Sequence, residues 1–126
     1  MSEFAISIDA RFKPVFVPMG LGPRHSRITL DSKELRVRLG WAFRATIPLS
    51  SVQGVAPDED RVTGWGAHGW GGVWLVNGSS SGLVRIEIEP PARAWVSGFP
   101  VQLRALRLSV QEREAFIGAL HEALPA

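Results

Sequence analysis

The chain of 126 residues contains no cysteine. A disulfide staple, a thiolate nucleophile and a sulfur-ligated metal are therefore excluded, and with them zinc ribbons, iron–sulfur sites and cysteine enzymes. Other ligand sets are equally sparse. The three histidines, His25, His68 and His121, share no metal-ligand spacing, and Asp58-Glu59-Asp60 lacks the spaced oxygens and glycine turn of a calcium loop. No cofactor is expected, and the acidic triplet reads as a solvated loop. No serine stands in a strand–turn–helix elbow, so a hydrolase would have to assemble its site from scattered residues. Residues 1–9 carry acids early and lack the basic flank and apolar run of a signal peptide. The uncharged stretch of 23 residues between Arg61 and Arg85 is long enough to span a bilayer, but its glycines, serines, threonine, histidine and asparagine make it too polar. A cytoplasmic protein without a transmembrane segment is expected.

An apolar fraction of 45% and a charged fraction of 21% lie in the globular range, and the length suits one domain, 1–126, with one core. There is no internal repeat. Residues 1–24, punctuated by Pro14, Pro18 and Pro23, read as a short strand at Val15–Val17 and a loop ahead of the core. The segments 27–31 and 34–39 alternate cleanly across the turn Asp31-Ser-Lys-Glu34, which predicts a hairpin with Ile28, Leu30, Leu35, Val37 and Leu39 inward and Arg27, Thr29, Arg36 and Arg38 outward. Phe43, Ala45 and Ile47 continue the inward set, followed by a bend at Pro48 and a further piece at 52–55.

Val73–Val76 reads as a strand covered on both faces, and the Asn77–Gly82 turn predicts a second hairpin with 83–89. The strand 101–108 changes phase, which a β-bulge near Arg104 and Ala105 would repair. Ser109-Val-Gln-Glu112 reads as a capping box opening an amphipathic helix with Phe116, Ile117, Leu120 and Leu124 on one stripe, and Gly118 suggests a close approach to the sheet. The expected architecture is mainly β: a strongly bent antiparallel sheet or half-open barrel of about seven strands capped by one C-terminal helix.

This element order resembles the pleckstrin-homology-like superfold and looks like its bacterial branch. The residues that carry the likeness are the hairpin from Arg27 to Leu39, the piece Thr46-Ile-Pro-Leu-Ser-Ser-Val52, and 83–88 ahead of the C-terminal helix. The resemblance implies a bent sheet plugged at one end by the helix. Members that bind phosphoinositides carry a basic residue on the first strand and Arg-x-Arg on the second, to which Arg27 and the pair Arg36 and Arg38 correspond. The turn Asp31–Glu34 departs from them: it is short and carries two acids, leaving little chain to wrap a headgroup.

Charge is unevenly distributed. Residues 11–44 hold eight basic groups against two acids, an excess of +6, while residues 45–126 carry an excess of −2. A basic face of this kind attracts phosphate groups, anionic lipid or an acidic partner. Arginines without apolar insertion support only weak lipid contact. Nucleic acid is disfavoured because no aromatics interleave with Arg27, Arg36 and Arg38 to stack bases. The second candidate region is 64–82, with Trp65, Trp70 and Trp74 among seven glycines and no charge. It reads either as a tryptophan-rimmed pocket with His68 as its polar member, or as a structural stretch with Trp74 in the core. The sequence thus points to a non-enzymatic binding or scaffold module that meets a small ligand or protein partner through the arginine face or the Trp65/Trp70 rim. Two alternatives stand beside it: a small enzyme using His68, and anionic-lipid binding through Arg27, Arg36 and Arg38.

Overall fold

The computed structural model describes residues 2–8, 13–20, 22, 25–59, 66–79 and 81–124, without the side chains of Lys13, Val15, His68 and Trp70. A three-residue strand β1 (Ser2–Phe4) and a helical turn α1 (Lys13–Phe16) lead into a meander of β2 (Ser26–Leu30), β3 (Glu34–Leu39) and β4 (Phe43–Pro48). The period-2 pattern of these residues is realised: Ile28, Leu30, Leu35, Val37, Leu39, Phe43, Ala45 and Ile47 are all buried. The β2–β3 turn is set by Asp31, whose Oδ1 accepts hydrogen bonds from Lys33 N at 2.7 Å and Glu34 N at 2.9 Å. These two amides, Lys33 foremost, hold its carboxyl below the ordinary carboxylate range.

After a 3-10 turn at Leu49–Ser51 come β5 (Val52–Pro57), β6 (Gly66–Trp70), β7 (Val73–Asn77), β8 (Leu83–Val96), β9 (Phe99–Ser109) and the helix α2 (Arg113–Ala123). All nine strands share one curled sheet in the order β1-β2-β3-β4-β8-β9-β7-β6, with β5 also on β8. The strand β8 changes partner along one edge: Val84–Ile88 pair with β5 and Ala94–Val96 with β4. Pro90 and Pro91 fall between the two ladders, where a missing N–H deprives no partner on that edge. On the other edge the register jumps from Glu87↔Ala105 to Ala92↔Leu103, so residues 88–91 face Arg104 alone. Arg104 N and Ala105 N both donate to Gly72 O, at 2.7 and 3.2 Å. This is the two-onto-one pattern of a bulge, and it is where the phase of β9 changes, Leu103, Ala105 and Leu106 all being buried.

The chain start draws the flanks of the sheet together. β1 lies on β2, then Ile6 bridges Val110 and Ile8 bridges Gly78. Ser7 N donates to Ser109 O at 2.9 Å, and Ser109 Oγ returns a bond of 2.9 Å to Ser7 O. One end of the curl is covered by α2, whose Phe116 and Leu120 are fully buried; the Phe116 ring meets Phe4 edge-on at 5.3 Å. Near the opposite end Phe16 of α1 enters the same core.

Five expectations need correction. Val15 and Phe16 belong to a helical turn rather than a strand, since proline is tolerated in a first turn and Phe16 anchors that turn in the core. The second hairpin does not form: both edges of β8 are occupied by β5 and β9, so β7 pairs in parallel with β9 and antiparallel with β6. Ser109 caps no helix but ends β9, its hydroxyl shared between Gly78 N and Ser7 O, and α2 begins four residues later behind Glu112. Gly118 is exposed, with nothing within 4 Å of where its Cβ would stand. Asp58, expected in solvent, is buried and paired to Arg107 Nε at 2.5 Å because its amide is tied to Leu83 O at the edge of the sheet.

Two outcomes follow for stability. Gly118→Ala removes backbone entropy from the unfolded helix without meeting a neighbour, so it should stabilise by roughly 0.5–1 kcal/mol and raise Tm by about 2–5 °C; a fall in Tm on calorimetry would contradict the open surroundings of that residue. The Asp31 carboxylate is bound more tightly when charged, so its contribution is present above the unfolded-state value of about 3.9 and is lost as pH falls through its lower folded-state value. Urea unfolding should therefore show Asp31→Ala destabilised at neutral pH, with the gap to wild type shrinking at about pH 2; a gap independent of pH would contradict this.

Candidate anion-binding cleft

The outward face of the meander carries a row of cations set by register. Arg27 on β2 lies opposite Arg38 on β3, Arg38 opposite Arg44 on β4, and Arg44 opposite Trp95 on β8. Neighbouring strands are about 4.8 Å apart, and like charges directly opposite one another destabilise a sheet. Carboxylates relieve only the outer part of this face. Arg27 has Glu3 at 3.6 Å, and Arg36, one step along the face and opposite Thr46, is paired with Glu34 on its own strand. Arg38 and Arg44 have no carboxylate partner among the described residues. Arg38 Nε donates only to Gly40 O, at 3.3 Å, and the Arg44 guanidinium lies 5.8 Å from the Trp95 ring centroid.

Two tight turns frame these arginines. The β8–β9 hairpin turns on Ser97 and Gly98, with φ of 50° and 86°, the pair of positive angles that a two-residue type I′ turn requires. Ser97 N donates to Ala42 O at 2.9 Å, which fastens this hairpin to the β3–β4 turn. That second turn projects Trp41, whose Nε1 donates to Met19 O at 2.6 Å. Between the turns lies a cavity of about 210 Å³ lined by Arg38, Gly40, Trp41, Arg44, Trp95 and Gly98. Two guanidinium forks that stay charged at any ordinary pH, walled by two indoles, suit a phosphate or carboxylate group.

Of the residues singled out in the sequence, Arg27, Arg36 and Arg38 stand together on the expected face, and Arg38 enters the cleft. Trp65 lies outside the described residues. His68 and Trp70 belong to β6, opposite Leu75 and Val73, but their side chains are likewise outside the description. Trp74 is half-buried against the core. Reasoning from sequence missed Arg44, Trp41 and Trp95. Arg44 was available as the outward member of the third alternating strand, and Ser97-Gly98 between apolar residues was a hairpin signal that the preceding Pro90-Pro91 obscured.

Comparison of the chain with protein-family models, with curated proteins and with solved structures finds no match to any of them.

If the arginine row serves binding rather than folding, removing one charge should relieve repulsion. Arg38→Gln should leave stability unchanged or raise it by up to about 0.5 kcal/mol at low ionic strength, the gain vanishing near about 1 M salt. A loss above about 1 kcal/mol in denaturant titrations would make Arg38 a structural residue.

Proposed function

We propose that this protein is a non-enzymatic binding module that holds a phosphate- or carboxylate-bearing ligand between Arg38 and Arg44. One observation carries the reading: two register-paired arginines, without a carboxylate partner among the described residues, line the same cavity. Placing like charges side by side is unfavourable for the sheet itself, and an anion between them reverses the sign of that interaction. The cavity, at about 210 Å³, is smaller than the roughly 300–1,000 Å³ of pockets that enclose whole ligands. It takes one anionic group, with the rest of the ligand outside. The curled sheet capped by a C-terminal helix supports reading the chain as a pleckstrin-homology-like module. No helix among the described residues is long and apolar enough to cross a membrane, and we place the module in the cytoplasm.

Isothermal titration with pyrophosphate tests the assignment. Saturable binding that weakens with added salt is expected, with affinity reduced at least about tenfold in Arg38→Gln/Arg44→Gln and retained in Arg36→Gln. Equal binding by the double variant, or no saturable binding by the wild type, would overturn it.

A further inference from the structure

We infer that the anionic group is presented by a membrane surface, and that the cleft end of the sheet docks on anionic phospholipid with its turn residues entering the headgroup region. The inference rests on the anion-binding reading above and adds the source of the anion. Among the described residues the exposed large apolar side chains are Trp41, Phe99, Val17 and Met19, at 57%, 73%, 57% and 41% exposure. They belong to three separate segments, the β3–β4 turn, the β8–β9 hairpin and the chain following α1. The Trp41 Nε1–Met19 O bond and the Ser97 N–Ala42 O bond tie these segments together at one end of the sheet. That end is also where Arg38 and Arg44 open.

Stable attachment of a folded protein to a bilayer takes two signals, apolar insertion and a basic patch, and both are present here. An indole favours the headgroup level, where its ring is in apolar surroundings and its N–H is satisfied. Behind the apolar tips lie Arg38, Arg44 and Arg27, and Arg93 shares the face of β8 that carries Trp95. The opposite end has the opposite sign. Glu122 of α2 lines a groove with Asp31 and Ser32, and Glu112 and Glu114 are exposed at the start of the helix. This polarity along the barrel turns the basic end toward a negative leaflet as the protein approaches. Apolar tips on three projecting turns around a cationic cleft suit lipid, which moulds itself around separate side chains. A protein partner of ordinary size would need a continuous complementary face of about 800 Å².

Sedimentation with vesicles of phosphatidylcholine, with and without phosphatidylglycerol, tests the inference. The wild type should bind the anionic vesicles and not the neutral ones, less so as salt rises. Val17→Ser/Phe99→Ser changes two exposed residues outside the cleft lining, so it should keep pyrophosphate affinity while losing about tenfold in vesicle affinity. Unchanged vesicle binding by that variant would overturn docking through the tips. A wild type that binds pyrophosphate but not anionic vesicles would overturn the membrane inference and leave the anion cleft standing, whether or not an acidic protein is found at that end. Binding of neither would overturn both.

Discussion

The partner change along β8 is the constraint on which the rest of the structure depends. A strand of 14 residues is long enough to serve two neighbours on one edge, β5 near its start and β4 near its end. The two prolines at its middle make a continuous ladder impossible there, so the neighbours separate and the sheet bends. The bend carries the β3–β4 turn beside the β8–β9 turn, where Ser97 N and Ala42 O join them. The cleft of Arg38, Arg44, Trp41 and Trp95 exists because these two turns meet.

The inner face supports what the outer face would not sustain alone. Next to the outward row of Arg27, Arg38, Arg44 and Trp95 runs an inward row of Ile28, Val37, Ala45 and Ala94, paired across the same four strands. All four are buried in the core. Small residues at 45 and 94 leave room on the concave side of a tightly curled sheet, and the burial of its larger neighbours offsets repulsion between the arginines outside. Ends closed by Phe116 and Phe16 complete the core without drawing on the outward face. Function and folding thus use opposite faces of the same residues' alternation.

What could be read in the sequence divides along physical lines. The hairpin of β2 and β3 was legible because side-chain period and turn chemistry are local, and both agree from Arg27 to Leu39. The bulge at Arg104 was legible for the same reason, as a break in period. The pairing of β7 was not, since it depends on which edges of β8 are already occupied, a fact about strands elsewhere in the chain. Ser109 matched a capping pattern but was claimed by Ser7, far away in sequence. The candidate site follows this division. Arg27, Arg36 and Arg38 announced themselves by alternation, whereas Arg44 and Trp95 become neighbours only through the register between β4 and β8. Trp41 fell between two periodic segments, where no pattern assigns a direction to a side chain.

The central claim is that an anion is held between Arg38 and Arg44. Its most direct test is a nitrogen–proton correlation spectrum of the labelled protein, including the arginine Nε–Hε groups, recorded while pyrophosphate is added. The account predicts that the largest shifts fall on the Nε–Hε signals of Arg38 and Arg44 and on the amides of residues 40–42 and 95–98. Shifts centred instead on residues 66–74, or spread evenly over all exposed arginines, would contradict it.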